Sequence, residues 1–342
     1  MSEERGNSGG KDILSKPVHP LVPIAIIVGF VAWGVHGGAF KSPLVAPAAV
    51  PGAQAMKRES PVSAIAFVPA RSEVVVGRRD GTLEILEVPS QASRRKLDTF
   101  GGAVRALALS NDGKWLAVSA DRVRLYSLGS SAAARDLGEN PEFAISLRFS
   151  ADGSQLLALG HDAQFWAPSQ PQAPKARREI PDLYTASALS PGLDTIATHH
   201  TNAVNLGIAL WDASSGKLKA RLPCMNWSCE DLEFSASGKM LAAAAYQTTL
   251  LYGMPDGREA GRLTGHADRV SAVSWRGDDR LAAGGVDGTV QIWDVPARRI
   301  LATLPGPPDP IGRIEWSSAG DRLAVVTLLG VLRFADVPPA AR

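Results

Sequence analysis

The chain of 342 residues sets 36 Lys and Arg against 34 Asp and Glu, a formal net charge of +2, and holds 33 Gly, 24 Pro and only 2 Cys. So even a balance removes the electrostatic case for nucleic acid, which needs Lys and Arg clustered along a phosphate backbone; basic pairs such as Arg78-Arg79 and Arg177-Arg178 are scattered. The Gly and Pro content favours a turn-rich, all-β chain over long helices, and the length accommodates one large domain with a sizeable core.

Residues 1–19 are polar, mix both signs and are expected to be disordered. Between Pro20 and Phe40 no formally charged side chain occurs, and residues 21–33 are the most apolar part, with Trp33 suited to a membrane interface. At about 1.5 Å per residue this stretch reaches roughly 30 Å, enough to span a bilayer, so residues 20–40 are predicted to form one transmembrane helix. A cleaved signal fits less well, because the polar stretch before it is long and the best small-x-small site, Ala53-Gln54-Ala55, lies far downstream. Arg5, Lys11 and Lys16 precede the segment and Lys41, Lys57 and Arg58 follow it. The greater distance of Lys57 and Arg58 tips the reading toward a large domain on the extracytoplasmic side of a single-pass membrane protein. Residues 41–56, with Pro43, Pro47 and Pro51, read as a semi-extended stalk.

From residue 57 to the end the sequence repeats. One column of large apolar residues is Leu86, Tyr126, Trp166, Trp211, Tyr252, Trp293 and Phe334; another is Phe67, Leu109, Phe149, Leu189, Phe234, Trp275 and Trp316. Both columns recur every 40 to 45 residues in the same register. Turn-forming triplets such as Asn111-Asp112-Gly113, Ala151-Asp152-Gly153 and Ser318-Ala319-Gly320 follow the second column, where a hairpin needs residues that tolerate positive φ. The clearest unit, residues 265–304, opens on Gly265-His266, turns at Asp287-Gly288 and closes a strand on Trp293-Asp294. It resembles a WD40 repeat, and the resemblance implies seven four-stranded blades in an all-β propeller. The family's hydrogen-bond network joins His, Asp, a strand-two Ser or Thr, and Trp; here it maps onto His266, Asp287 and Trp293, with Ala283 at the Ser/Thr position. The last unit lacks a fourth strand, and residues 54–59 are predicted to supply it by pairing with residues 330–334.

Motifs for catalysis are absent: no Walker loop, G-x-S-x-G elbow, H-E-x-x-H helix or C-x-x-C-H site occurs, and the first strands show no repeated acids of the kind propeller enzymes place at the channel. The chain is therefore read as a non-enzyme without metal or cofactor. Cys224 and Cys229 bracket the connection from blade four to blade five and either form a disulfide or pack as small hydrophobes. His199-His200, placed by register in a turn on the same face, would complete a two-His, two-Cys zinc site only if separate loops met. That face also gathers Phe143, Tyr184, Trp227, Asp268 and Arg269 near the starts of first strands, the residue types that build binding hot spots. Together these readings predict a protein-interaction scaffold tethered to a membrane, an accessory subunit of a membrane complex. The runner-up is a propeller enzyme or small-ligand or metal binder working through its channel.

Overall fold

A computed structural model describes residues 59–129, 133–137, 144–170, 174–180, 185–200, 207–224, 229–306 and 308–341. These residues form six four-stranded antiparallel sheets and one three-stranded sheet, each meandering through its strands in chain order. The first strands are Val62–Phe67, Ala106–Leu109, Ser146–Phe149, Ala186–Leu189, Cys229–Phe234, Val270–Arg276 and Ile311–Trp316. Each touches the next, and the last touches the first, so they close a ring around a channel. The second strands are the most deeply buried, as in Arg280–Gly285, while fourth strands such as Ser93–Thr99 face solvent. The architecture is the seven-bladed propeller expected from the repeats.

Strand pairing explains why the two columns keep register. In six of the seven sheets a residue of the Phe67 column sits opposite an apolar residue of strand two, which sits opposite a residue of the Leu86 column. Examples are Phe149–Leu156–Trp166, Leu189–Ile196–Trp211 and Trp275–Leu281–Trp293. Blade seven corrects the sequence reading. Trp316 pairs with Leu323, and Leu323 pairs with Ala335, so Ala335 rather than Phe334 holds the Leu86-column position. Phe334 is one residue out of step, so its side chain leaves the opposite sheet face. There it meets Phe67 of blade one, with ring centroids 6.2 Å apart and planes tilted by 56°.

The core is divided into seven apolar clusters, one between each pair of adjacent blades. The cluster that closes the ring packs Val62, Ile65, Val74 and Val76 of blade one against Ala324, Val326 and Leu332 of blade seven. Backbone reinforces it where Val62 N–H donates to Gly330 C=O at 2.9 Å. Of the predicted outer strand of blade seven, residues 54–58 lie outside the described residues, and Glu59 carries no strand assignment. The predicted transmembrane helix, residues 20–40, also lies outside them. Among the described residues no helix is long and apolar enough to cross a membrane.

Where blades press closest, side chains shrink. A Cβ on Gly77 would stand 2.3 Å from Val104 Cγ1 of blade two, and one on Gly284 would stand 2.7 Å from Ile311 Cγ2 of blade seven. Both glycines occupy the same strand-two position, facing the first residue of the next blade's inner sheet. The aromatic pair at the seam provides a test of closure. Phe67→Ala and Phe334→Ala are expected to be coupled by about 0.5–1.5 kcal/mol in a double-mutant cycle of chemical unfolding, whereas additive losses would mean that Phe334 does not face blade one.

Candidate interaction face and central channel

In a four-stranded meander the turns between strands two and three and the links into the next blade share one end of the sheet. Seven large apolar residues are exposed among the described residues. Five of them belong to this end: Ile145 at 38%, Tyr246 at 43%, Leu328 at 52%, Leu329 at 62% and Val331 at 38%. The other two, Leu218 and Ile300, lie on fourth strands at the periphery. A cavity of about 330 Å³ opens on the same face between Tyr246-Gln247-Thr248 and Thr264-Gly265-His266.

Asp268 and Arg269, predicted here, stand exposed beside that cavity. Asp268 accepts the Arg269 N–H at 2.7 Å, and the Arg269 guanidinium pairs with Glu230 of blade five. Predicted Phe143, Tyr184 and Trp227 lie outside the described residues. The exposed turn Leu328-Leu329 was missed because it interrupts the repeat pattern only as two further apolar residues. Its exposure depends on the turn conformation, which Arg79 holds through an Nη2–H bond to Leu328 C=O at 2.8 Å.

The WD-type network is divided between two blades. In blade six His266 is buried; its Nε2 lies 3.1 Å from Ala283 C=O, and its Nδ1 lies 3.4 Å from Thr289 Oγ1. Asp287 accepts from Thr289 N–H and Oγ1–H at 2.9 and 2.8 Å. The relay ends there, because Ala283 offers no hydroxyl and the buried Trp293 indole N–H has no acceptor among the described residues. Blade four keeps the other half: Trp211 Nε1–H donates to Thr198 Oγ1 at 2.7 Å, and Thr198 stands where blade six has Ala283. The sequence reading placed the network in blade six and overlooked Thr198. A buried unpaired donor costs about 1–3 kcal/mol, so Ala283→Thr is expected to raise the melting temperature by a few degrees and Thr198→Ala to lower it. A neutral or destabilising Ala283→Thr, read by calorimetry, would contradict this account of Trp293.

The channel wall carries acids that the sequence reading discounted. Glu233 and Glu315 occupy the same first-strand position in blades five and seven, with Asp231 two residues before Glu233. Each caps an inner-edge N–H of the next blade: Asp231 Oδ2 accepts from Val273 at 2.9 Å, Glu233 Oε2 from Trp275 at 2.9 Å and Glu315 Oε1 from Phe67 at 3.3 Å. The Trp275 indole donates back across the blade five–six seam to Glu233 C=O at 3.1 Å, and the Trp316 indole donates across the blade six–seven seam to Ser274 C=O at 3.0 Å. A cavity of about 420 Å³ at one mouth of the channel is lined by Ala66, Leu109, Arg148, Phe149 and Glu315 among others.

Burial raises all three acids. Glu233 is pushed up to about 8 by desolvation and by the Asp231 charge, against the pull of Trp275 N–H and Arg148. Glu315 rises to about 7 and Asp231 to about 6, both mainly by desolvation. A carboxyl raised in the folded state contributes stability below its unfolded value that is lost as pH rises through the folded value. Buried His266 is lowered by desolvation, against the pull of Asp287, so its contribution is present above its unfolded value and fades as pH falls. Between about pH 5 and pH 9 the wild type is therefore expected to lose stability that Glu233→Gln retains, flattening the melting-temperature profile. Parallel profiles for the two proteins would rule out a titrating Glu233.

Near the link into blade five, Cys224 and Cys229 are joined by a disulfide rather than packing as separate thiols. His199 lies within strand Thr195–His200, not in the predicted turn, and is only 1% exposed. Its Nδ1 sits 2.9 Å from Thr185 Oγ1. The fold brings the ligand atoms of His199, Cys224 and Cys229 within 4.8 Å of one another.

Comparison with known proteins agrees with this architecture. The WD domain, G-beta repeat, matches residues 94–123 and 257–294. The chain is similar to the ribosome biogenesis protein WDR12 homolog of Nematostella vectensis, 36% identical over 119 residues, covering 33% of this chain and 28% of that protein. It is 24% identical over 258 residues to transducin beta-like protein 3 of Bos taurus, covering 69% and 32%. It is 29% identical over 91 residues to the target of rapamycin complex subunit LST8 of Saccharomyces cerevisiae, covering 26% and 30%. The matches thus span less than a third of each relative's length. The chain carries WD40 repeats on a seven-bladed β-propeller, a scaffold that typically binds protein partners.

Proposed function

We propose that this chain is a non-catalytic protein-interaction scaffold held at a membrane by residues 20–40, its propeller on the extracytoplasmic side, serving as an accessory subunit of a membrane complex. The observation that carries the interaction reading is the gathering of five of the seven exposed large apolar residues on one end of the propeller, beside the Arg269–Glu230 pair. Apolar anchors with a charged neighbour are what a protein partner would bury. One relative is, by its name, a complex subunit. The membrane tether rests on the uncharged run from Pro20 to Phe40 and on the Pro-rich sequence of residues 41–56 that follows it.

The channel supports catalysis less well. Its acids each accept a backbone N–H of the neighbouring blade, so they hold the ring together instead of presenting free carboxylates to a substrate.

Full-length protein extracted in mild detergent is expected to bring down a stoichiometric membrane partner. Leu329→Asp, Trp227→Ala and Arg269→Ala are each expected to weaken that capture by about tenfold or more with an unchanged melting temperature, since truncating an interface anchor costs upwards of 1–2 kcal/mol. Normal capture by all three variants would remove this face from the interface.

A further inference from the structure

The seam between blades four and five differs from the five others at which both equivalent residues are described. At five seams the inward position of strand two and the first inner residue of the next blade form a small or apolar pair. These are Gly77–Val104, Ser119–Ala144, Ala244–Val270, Gly284–Ile311 and Val326–Val62. At the blade four–five seam the same two positions hold His199 and Cys229, and Cys224 joins them from the link. Three soft or borderline ligand groups thus stand where the five described counterparts hold small or apolar pairs. We propose that this cluster is a zinc site gated by the Cys224–Cys229 redox state: closed while the disulfide stands, and competent to take Zn²⁺ when the pair is reduced.

The geometry suits a tetrahedral ion. Zinc binds thiolate at about 2.3 Å and imidazole at about 2.0–2.1 Å, which calls for ligand atoms a little under 4 Å apart. The three groups already lie within 4.8 Å of one another, and the cysteine Cα atoms are 6.3 Å apart, so parting the sulfurs by side-chain rotation brings them into range. Two of the ligands stand on rigid strands, His199 on strand two of blade four and Cys229 at the start of the first strand of blade five. Thr185 Oγ1 fixes the His199 ring through Nδ1, the kind of outer contact that orients a metal-binding imidazole. The link itself is pinned at its root, where the Tyr252 hydroxyl donates to Pro223 C=O. Two thiolates and a neutral imidazole cancel the charge of Zn²⁺, so the ion does not leave net charge in a buried seam. Cys224, only partly buried, supplies the approach from solvent.

The redox step balances as a thiol–disulfide exchange. An external dithiol supplies two electrons and two protons and leaves as its disulfide, or a phosphine supplies two electrons while water supplies the two protons and the oxygen of the phosphine oxide; in either case the S–S bond breaks to two thiols. Zn²⁺ then displaces the two thiol protons and bonds to both sulfurs and to His199, with solvent as fourth ligand.

The test uses the full chain in detergent, reduced with a trialkylphosphine and titrated with Zn²⁺ against a chromophoric chelator. The reduced wild type is expected to take about one equivalent, and the oxidised protein less than about a tenth of that. Cys224→Ser, half-buried and isosteric, is expected to bind at least about tenfold more weakly while folding normally by circular dichroism, and His199→Asn should lower zinc affinity without altering disulfide formation. Failure of the reduced wild type to take zinc beyond the Cys224→Ser level, or equal uptake by oxidised and reduced protein, would overturn the proposal.

Discussion

Every blade is a ribbon of three or four described strands with two apolar faces, and neither can be buried within the blade itself. The seven apolar clusters between adjacent blades meet that constraint, and the one joining blade seven to blade one makes the ring closed. The remaining architecture follows from it. First strands converge on a channel, second strands are submerged, and fourth strands such as Ser93–Thr99 carry the solvent surface. Because packing is confined to the sheets, the turns and links are free to vary, and that is where the candidate binding residues sit.

Polar groups serve the same seams. Serines donate across them, as Ser119 Oγ–H does to Ala144 C=O at 2.6 Å and Ser271 Oγ–H to Ile311 C=O. Asp231, Glu233 and Glu315 cap the N–H groups that inner strand edges would otherwise leave bare, Trp275 returns the contact to blade five, and Trp316 ties blade seven to Ser274 of blade six. These acids make the ring sensitive to pH, since burial favours their protonated form. The divided His–Asp and Thr–Trp network of blades six and four adds within-blade order, but neither half spans the whole relay. Seam packing therefore carries most of the stability.

Much of the fold was legible in the sequence because a blade must repeat its apolar positions at a fixed spacing, and Trp166, Trp211 and Trp293 announce that spacing. The slip at Phe334 shows the limit of reading by residue size. The register follows strand pairing, and there the small Ala335 holds the place while Phe334 serves the neighbouring blade. Thr198 was hidden because a hydroxyl reads as a network member only once its strand position is known. Glu233 and Glu315 were hidden because two acids among seven first strands do not look like repetition, although their positions are equivalent. His199 passed for a turn residue because the longer blade-four connection obscured where strand two ends. Asp268 and Arg269 lie exposed in the link into blade six, whose place along the chain is fixed by the repeat itself.

The proposed interaction face is the loop end of the ring, while the channel acids bond backbone N–H groups of neighbouring blades. The most direct measurement is hydroxyl-radical footprinting of the full-length protein, alone and with its co-purified membrane partner. Protection of Tyr246, Leu328 and Leu329, with Leu218 and Ile300 unchanged, is the predicted result. Protection confined to Leu218 and Ile300 on the fourth strands, or to Leu109 and Phe149 at the channel mouth, would contradict it.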